Sequence, residues 1–241
     1  MKERFFSIII PAHNEENYIS KAIEAIKNIN YPKDNLEVII VENGSNDKTC
    51  EIVKSKITET FKFITIKERG VSKAKNMGID NLSNKSNWVI FLDADTILLT
   101  DFLKNLNNYF ELHKDENLSV GTTYVLPLSD LKYARIWFNF YNWGHRFTKS
   151  SFSIQIAKTP FLKNVRFDED LTFEEDYKFL NELKKYGEYF FFNTESVLTS
   201  TRRFDKYGWF KLFFIWLSYV IKPSYFKRWC FRRKESFWKY S

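Results

Sequence analysis

The alternation of apolar strands with amphipathic helices over the first hundred residues is the feature that most constrains the fold. The apolar runs RFFSIII, LEVIIVE, FKFITI and WVIFL predict four buried strands, the last ending at Asp93. Helices are predicted between them, over EENYISKAIEAIKNI, from near Ser45, and from Ser72 in GVSKAKNMGI. The first helix has one apolar face, made by Ile19, Ala22, Ile23 and Ile26. Strands that alternate with helices indicate an α/β fold with a parallel sheet covered on both faces.

Polar residues follow each of the four strands, in PAHNE, ENGSND, ERGVS and DADT. Because ligands of parallel sheets bind beyond the carboxyl ends of the strands, we expect these clusters to converge on one crevice. After residue 100 the alternation is less regular. LSVGTTYVLP and SFSIQIA predict strands, and LKYARIWFNFYNWGHRF predicts an aromatic-rich helix or loop. EEDYKFLNELKKYG predicts a helix that ends at Gly187, and EYFFFN and SVLTSTRR predict strands that complete the sheet.

The cysteines and histidines of the 241-residue chain indicate no metal or disulfide framework. Cys50 and Cys230 lie far apart without a C-x-x-C pair, and His13, His113 and His145 show no ligand spacing. The first strand follows the N-terminus almost at once, without the pattern of a signal peptide. We therefore expect a protein made and kept in the cytosol.

Positive charge is concentrated at the C-terminal end of the chain. The net charge is +7, and residues 206–241 hold nine Lys or Arg against the single Glu235, so the remainder is nearly neutral. Residues 209–221 are apolar except for Lys211 and Ser218, but a bilayer span needs about 20 residues. Two interpretations stay open for this basic, aromatic segment. It makes peripheral contact with an anionic membrane, or it packs within the protein or an oligomer.

The stretch WVIFLDADT places Asp93 and Asp95 at the end of a buried strand, where desolvation of carboxylates is costly. In an extended segment side chains two apart point the same way, so both carboxylates are expected to address one ligand. That ligand is predicted to be a divalent cation, or a polar ligand carried by one. The alternative is ordinary cap chemistry at the start of a helix over LLTDFLKNL.

Five stretches together resemble the family 2 glycosyltransferases, which have the Rossmann-like, nucleotide-sugar-binding fold called GT-A. They are SIIIPAHNEE, VIIVENGSNDKT, GVSKAKNMGI, VIFLDADT and FEEDYKFL, in the order of the family. The resemblance implies a mixed, mainly parallel sheet flanked by helices. It implies a catalytic domain over residues 1–204, with a nucleotide-sugar-binding half (1–100) and an acceptor-side half (101–204). Residues 205–241 are then an amphipathic helical tail.

The resemblance also implies which residues bind the donor. Asp95 is implied as the protein ligand to Mn²⁺ or Mg²⁺, with Asp93 nearer the ribose and Ala94 between them. A hard cation suits carboxylate ligands and neutralises a diphosphate leaving group. The remaining donor-binding residues implied are Pro11, His13, Glu15, Glu42, Asn43, Lys75 and one or both of Arg202 and Arg203.

Several of these residues depart from the common pattern of the family or have simpler explanations. Asn43 stands where an acidic residue commonly binds the base, and an amide can both donate and accept a hydrogen bond. Lys75 replaces an arginine and can still bind phosphate as a point charge. Asn14 as a helix cap, and a solvated helix face for the lysines of GVSKAKN, are the simpler alternatives.

The resemblance implies Asp176 as the general base, with Glu175 beside it, because a base must reach the acceptor hydroxyl. The alternative is that these acids only favour the start of a helix through its macrodipole. The resulting prediction is an inverting glycosyltransferase at the inner membrane face, with a UDP-sugar favoured as donor and a glycan or lipid-linked acceptor. A catalytically inactive relative, or a nucleic-acid-binding protein using the basic tail, are the competing hypotheses.

Overall fold

A computed structural model describes residues 3–151, 153–171 and 174–214. The chain divides into two compact units, Met1–Thr199 and Ser200–Ser241.

The strands of the first unit are β1 (Phe6–Ala12), β2 (Leu36–Asn43), β3 (Phe61–Ile66), β4 (Trp88–Leu92), β5 (Thr96–Leu98), β6 (Leu118–Thr123), β7 (Leu126–Pro127), β8 (Ile154–Lys158), β9 (Glu188–Phe192) and β10 (Val197–Thr199). Its helices are α1 (Ile19–Lys27), α2 (Thr49–Lys56), α3 (Val71–Asp80), α4 (Phe102–Leu112), α5 (Lys132–Thr148) and α6 (Glu175–Leu183), with short 3₁₀ turns at Lys33–Asn35 and Thr159–Lys163.

Seven strands form the main sheet, in the order β3-β2-β1-β4-β8-β6-β9. The first four are parallel, β8 runs antiparallel to both β4 and β6, and β9 is parallel to β6. Strands β2 and β4 are buried along their whole length, as expected for strands covered on both faces. The mixed, mainly parallel architecture predicted from the sequence is confirmed.

The antiparallel direction of β8 decides what lies at the functional edge of the sheet. Leu92, the last residue of β4, pairs with Ile154, the first residue of β8. The start of β8 therefore lies at the same edge as the carboxyl ends of the four parallel strands. A residue early in β8 can contact the polar loops that follow those strands.

The predicted elements of the first half are confirmed, with shifted boundaries. Helix α1 buries Ile19, Ala22, Ile23 and Ile26, the face that the spacing predicts. Helix α2 begins at Thr49 rather than near Ser45, because the residues before it form a turn tied to the loop after β1. The aromatic-rich stretch is helical, as α5.

The prediction of a single continued sheet is wrong for the last strand. Strand β10 pairs with β5 and β7 in a separate three-stranded sheet. The LSVGTTYVLP run is broken into β6 and β7, and β5 is a three-residue strand that the sequence did not indicate. Thr96 on β5 and Thr199 on β10 are buried and hydrogen-bonded to each other at 2.8 Å.

The sequence predicted that α6 ends at Gly187, and this prediction is wrong. The helix ends at Leu183, and Lys184 is its C-cap. A Cβ at Gly187 would lie 2.3 Å from the carbonyl oxygen of Asn117. The glycine is needed because the chain passes close to Asn117 as the pairing of β6 with β9 begins.

The second unit is described as far as residue 214. Its helix α7 (Arg202–Tyr207) begins after Thr201, whose hydroxyl donates to Asp205 at 2.7 Å. The Phe204 ring stacks on Trp209 with centroids 4.6 Å apart, and residues 209–214 are helical. The rest of the predicted basic, aromatic tail, residues 215–241, lies outside the described residues. Within the described part of the chain, no helix has both the length and the apolar character needed to cross a membrane.

We predict that Gly187→Ala lowers the free energy of unfolding by about 1–3 kcal/mol, the usual range for overpacking. The added methyl would meet backbone, which cannot move aside as a side chain can. Gly144→Ala on α5 is the matched control, because a Cβ there meets nothing within 4 Å. This control should be neutral or stabilising by about 0.5–1 kcal/mol, since alanine favours a helix over glycine. Urea unfolding of both variants checks the pair, and equal effects would contradict the close-approach explanation.

Candidate functional site

The loops after β1 and β2 are fastened to each other by hydrogen bonds. The Asn14 backbone N–H donates to the Ser45 hydroxyl at 3.0 Å, and the Asn46 N–H donates to the Asn14 side chain at 2.9 Å. The Glu15 N–H donates to the Thr49 hydroxyl at 2.7 Å. Asn14 is therefore not the N-cap of α1, and that alternative is wrong. The two loops form one hydrogen-bonded pair at the carboxyl edge of the sheet.

His13 and Asn43 lie close together in this pair of loops. The His13 Nδ1 is 3.0 Å from the Asn43 carbonyl oxygen, so this nitrogen is assigned as the donor. Asn43 is only 3% exposed, and its side-chain Oδ1 has no hydrogen-bond partner among the described residues. Buried polar atoms are nearly always satisfied, so this unpartnered oxygen makes Asn43 a candidate ligand contact at the end of β2.

Three other residues predicted to bind the nucleotide are placed nearby by the strands. Pro11 lies near the end of β1, where it pairs with Val41 of β2. Glu42 is buried, and its carboxylate accepts the backbone N–H of Ser45. The Glu15 carbonyl accepts the N–H groups at the start of α1.

The D-A-D stretch forms a turn between β4 and β5, and this differs from the extended segment assumed from the sequence. The Thr96 N–H donates to the Asp93 carbonyl at 3.0 Å, and the Asp93 N–H donates to the Ser153 carbonyl at 3.0 Å. Ala94 is buried, and both aspartates are partly exposed. Helix α4 begins only at Phe102, so Asp95 does not cap a helix, whereas the loop chemistry that was the other part of this alternative is consistent with the turn.

Lys75 lies at the centre of the candidate site. Its side chain is 2% exposed, and its Nζ is 2.7 Å from Asp176 Oδ1 and donates to Gln155 Oε1 at 3.1 Å. The same Nζ lies 4.7 Å from the centroid of the Phe167 ring. The solvated-face alternative is therefore wrong for Lys75, whereas Lys73 is partly exposed and pairs with Glu68.

Three carboxylates keep the buried lysine charged. Burial alone would lower the pKa of Lys75, but attraction by Asp176, Asp93 and Glu175 outweighs it and raises that pKa above its ordinary value. Two of these carboxylates open α6, and the third follows β4. The lysine therefore connects the acids of the D-A-D turn with those of the predicted catalytic helix.

Gln155 and Asn76 are site residues that the sequence analysis missed. Gln155 is 1% exposed near the start of β8, and its only signal is a polar residue inside the apolar run SIQIA. Asn76 follows Lys75 on α3, and its amide accepts the Phe167 N–H at 3.0 Å and donates to the Phe167 carbonyl at 2.9 Å. It also donates to Glu169 at 2.8 Å. Asn76 thereby fixes the segment that leads to α6.

Strained backbone conformations are concentrated around this site. In the described part of the chain, four residues other than glycine have positive φ. Three of them are Asn14 after β1, Ser153 beside Asp93, and Glu174 immediately before α6. Such conformations are costly for residues with a Cβ and are commonly retained at functional sites.

The chemistry of the D-A-D carboxylates fits a hard divalent cation, which prefers oxygen ligands. Among the described residues, no three His, Cys, Asp or Glu side chains are grouped so that they could hold a metal ion. A cation at Asp95 would therefore be held by fewer than three such side chains of the described residues, with other oxygen ligands completing its coordination. Arg202 and Arg203 open α7 in the second unit, where Arg202 is partly exposed and Arg203 is exposed.

Comparison with known proteins supports the resemblance found in the sequence. The chain is 29% identical over 206 residues to the minor teichoic acid biosynthesis protein GgaA of Bacillus subtilis, covering 76% of this chain and 44% of GgaA. The chain thus spans less than half the length of this relative.

Two solved structures share the fold at 20% sequence identity. Staphylococcus aureus TarS in complex with UDP-GlcNAc has a TM-score of 0.66, over 81% of this chain and 58% of that chain. The mannosyltransferase PcManGT from Pyrobaculum calidifontis, in complex with GDP-Man and Mn²⁺, has a TM-score of 0.63, over 83% and 57%. The GT-A fold is therefore confirmed. Residues 7–168 match the family described as Glycosyl transferase family 2, and the chain belongs to that family.

Proposed function

We propose that the protein is an inverting, metal-dependent glycosyltransferase that uses a nucleotide-sugar donor, with a UDP-sugar favoured. The observation that carries this proposal is the buried Lys75, which pairs with Asp176 at the start of α6 and is attracted by Asp93 after β4. Family membership supports the reaction class, and the structures of TarS and PcManGT are complexes with UDP-GlcNAc and GDP-Man. In-line attack by an acceptor oxygen would invert the anomeric centre.

Asp176 is the proposed general base. One carboxylate oxygen is held by Lys75, and the side chain is 35% exposed, so an incoming hydroxyl can still reach the carboxylate. The carboxylate would accept the hydroxyl proton as that oxygen attacks the sugar. Glu175 lies beside it at the first position of α6 and adds negative charge near the acceptor.

Lys75 is proposed to position this base. Lysine has three donors on its ammonium group, and those to Gln155 and Asp176 fix the carboxylate relative to β8. Its predicted role in binding phosphate stays a second hypothesis. The two roles differ in what they do to kinetics, since a positioning residue acts on turnover and a phosphate ligand acts on donor binding.

The donor is proposed to lie over the loops after β1, β2 and β4. Pro11, His13, Glu15 and Glu42 would line the nucleotide, and the open acceptor of Asn43 suits an N–H of the base. Asp93 would contact the ribose, beside the buried Ala94. A Mn²⁺ or Mg²⁺ ion at Asp95 would neutralise charge on the diphosphate leaving group. Arg202 or Arg203 would add a guanidinium to the same diphosphate.

The acceptor is proposed to be a glycan or a lipid-linked glycan precursor at the inner membrane face. Two relatives support a glycan polymer as acceptor: GgaA is a minor teichoic acid biosynthesis protein, and TarS is a poly(ribitol-phosphate) β-N-acetylglucosaminyltransferase. The basic segment 206–241 suits peripheral contact with anionic lipid. Nucleic acid is not a proposed partner.

We predict that Asp95→Asn abolishes metal-dependent binding of UDP-sugar. The amide keeps the size of the side chain but lacks the charge that a hard cation requires. Titration calorimetry with and without Mn²⁺ measures the effect, and Asp115→Asn, an exposed aspartate after α4, is the control. If Asp95→Asn bound UDP-sugar with unchanged metal dependence, the metal assignment would be wrong.

Asp176→Asn should reduce sugar transfer by about 10²-fold or more while donor affinity stays near that of the native protein. The change removes the proton acceptor and preserves shape. Glu182→Gln on the exposed part of the same helix is the control and should leave transfer unchanged. Transfer at the native rate by Asp176→Asn would show that Asp176 only favours the start of α6 through the helix macrodipole. Absence of transfer by the native protein with every nucleotide sugar tested would favour an inactive relative.

For Lys75→Met we predict a fall in kcat with little change in the donor KM, and a loss of about 2 kcal/mol in the free energy of unfolding. The loss follows from removing a buried donor from Gln155 and Asp176. Lys73→Met, two residues away on the same helix, breaks only an exposed pair and should change stability by less than about 0.5 kcal/mol. A raised donor KM with unchanged kcat would instead support the phosphate role.

A further inference from the structure

Helix α5 presents a stripe of apolar side chains to solvent. Ile136, Trp143 and Phe147 are 69%, 64% and 78% exposed. Their spacing of seven and four residues puts these three side chains on one side of the helix. Trp143 and Phe147 stack with ring centroids 5.9 Å apart, so the stripe is a continuous surface. At about 1.5 Å per residue, this 17-residue helix is roughly 25 Å long.

The opposite side of α5 is fixed to the first unit. Ala134, Phe138, Tyr141 and Asn142 are buried there. The Asn142 amide accepts the Val125 N–H at 2.9 Å and donates to the Val125 carbonyl at 2.7 Å. This pair of buried hydrogen bonds prevents the helix from rolling to cover its apolar stripe.

Basic residues flank the stripe. Lys132, Arg135 and Arg146 are exposed and share one edge of the helix, and Lys149 is exposed at its end. The sequence contains no acidic residue from position 131 to position 167. Glu195 reaches only Arg135, at 3.4 Å in an exposed pair. The surface therefore combines aromatic side chains with a local excess of positive charge.

We propose that this face of α5 lies in the headgroup region of an anionic membrane. Trp and Phe on one side with Lys and Arg beside them are the composition of helices that lie in the plane of the interface. A second copy of the chain fits this face of α5 less well than an anionic membrane does. A two-fold contact would bring the basic edges of two helices together without acids between them. The inference does not depend on the transferase chemistry.

The test uses the full chain and vesicles of phosphatidylglycerol and phosphatidylcholine, with phosphatidylcholine alone for comparison. Trp143→Gln/Phe147→Gln should weaken binding to the mixed vesicles about 100-fold or more, because each buried aromatic is worth at least about tenfold. Lys132→Gln/Arg146→Gln should weaken it by roughly 25-fold, about fivefold for each charge, and only at low salt. Residues 206–241 are intact in every variant, so a loss cannot come from the tail.

Matched controls are available on α4. Leu112 is 83% exposed, and Lys104 on α4 and Lys114 just after it are exposed, so Leu112→Gln and Lys104→Gln/Lys114→Gln should bind as the native chain does. Circular dichroism and melting temperature establish that each variant is folded.

Unchanged vesicle binding with a loss of dimer in sedimentation velocity would assign the face to self-association. Unchanged binding with a lowered melting temperature would assign it to packing within the chain. Either result overturns the proposal.

Discussion

The buried ammonium of Lys75 is the interaction on which the geometry of the site depends. Moving an ammonium ion out of water costs several kcal/mol unless charges and hydrogen bonds compensate it. Here the compensation comes from Asp176, Gln155 and the more distant Asp93, which belong to α6, β8 and the turn after β4. None of these elements can move away without exposing an uncompensated charge. The lysine thus ties the proposed base on α6 to Gln155 on β8, and Asp93 of the D-A-D turn stabilises its charge through electrostatic attraction.

The part of the site formed by the loops after β1 and β2 is ordered by hydrogen bonds rather than by a buried charge. The two loops are connected by hydrogen bonds between Asn14, Ser45 and Asn46. The cost includes a left-handed backbone at Asn14, with φ of 55°. A nucleotide that met a preordered loop would lose less entropy on binding than one that had to order it. The open acceptor of Asn43 beside these loops fits that interpretation.

The sequence predicted the parallel half of the fold because apolar runs and polar strand ends repeat there at short, regular intervals. It could not predict the direction of β8, which depends on pairing across the sheet, and therefore it missed Gln155. The pairing of Lys75 with Asp176 spans 101 residues and has no local signal. Gly187 was misassigned because a glycine after a helix suggests a cap, whereas the tertiary contact with Asn117 decides its role.

The position of α5 along the chain relates the proposed membrane face to the site. Helix α5 ends at Thr148, and Ser153 and Gln155 follow within seven residues. Ser153 accepts the Asp93 N–H, and Gln155 accepts from Lys75. A short connection therefore joins a helix lying on lipid to the edge of the sheet where transfer would occur. For a lipid-linked acceptor, this short connection would limit the distance between the membrane surface and the reacting hydroxyl. The reason is that the proposed base and the membrane-binding helix α5 belong to the same unit of the chain.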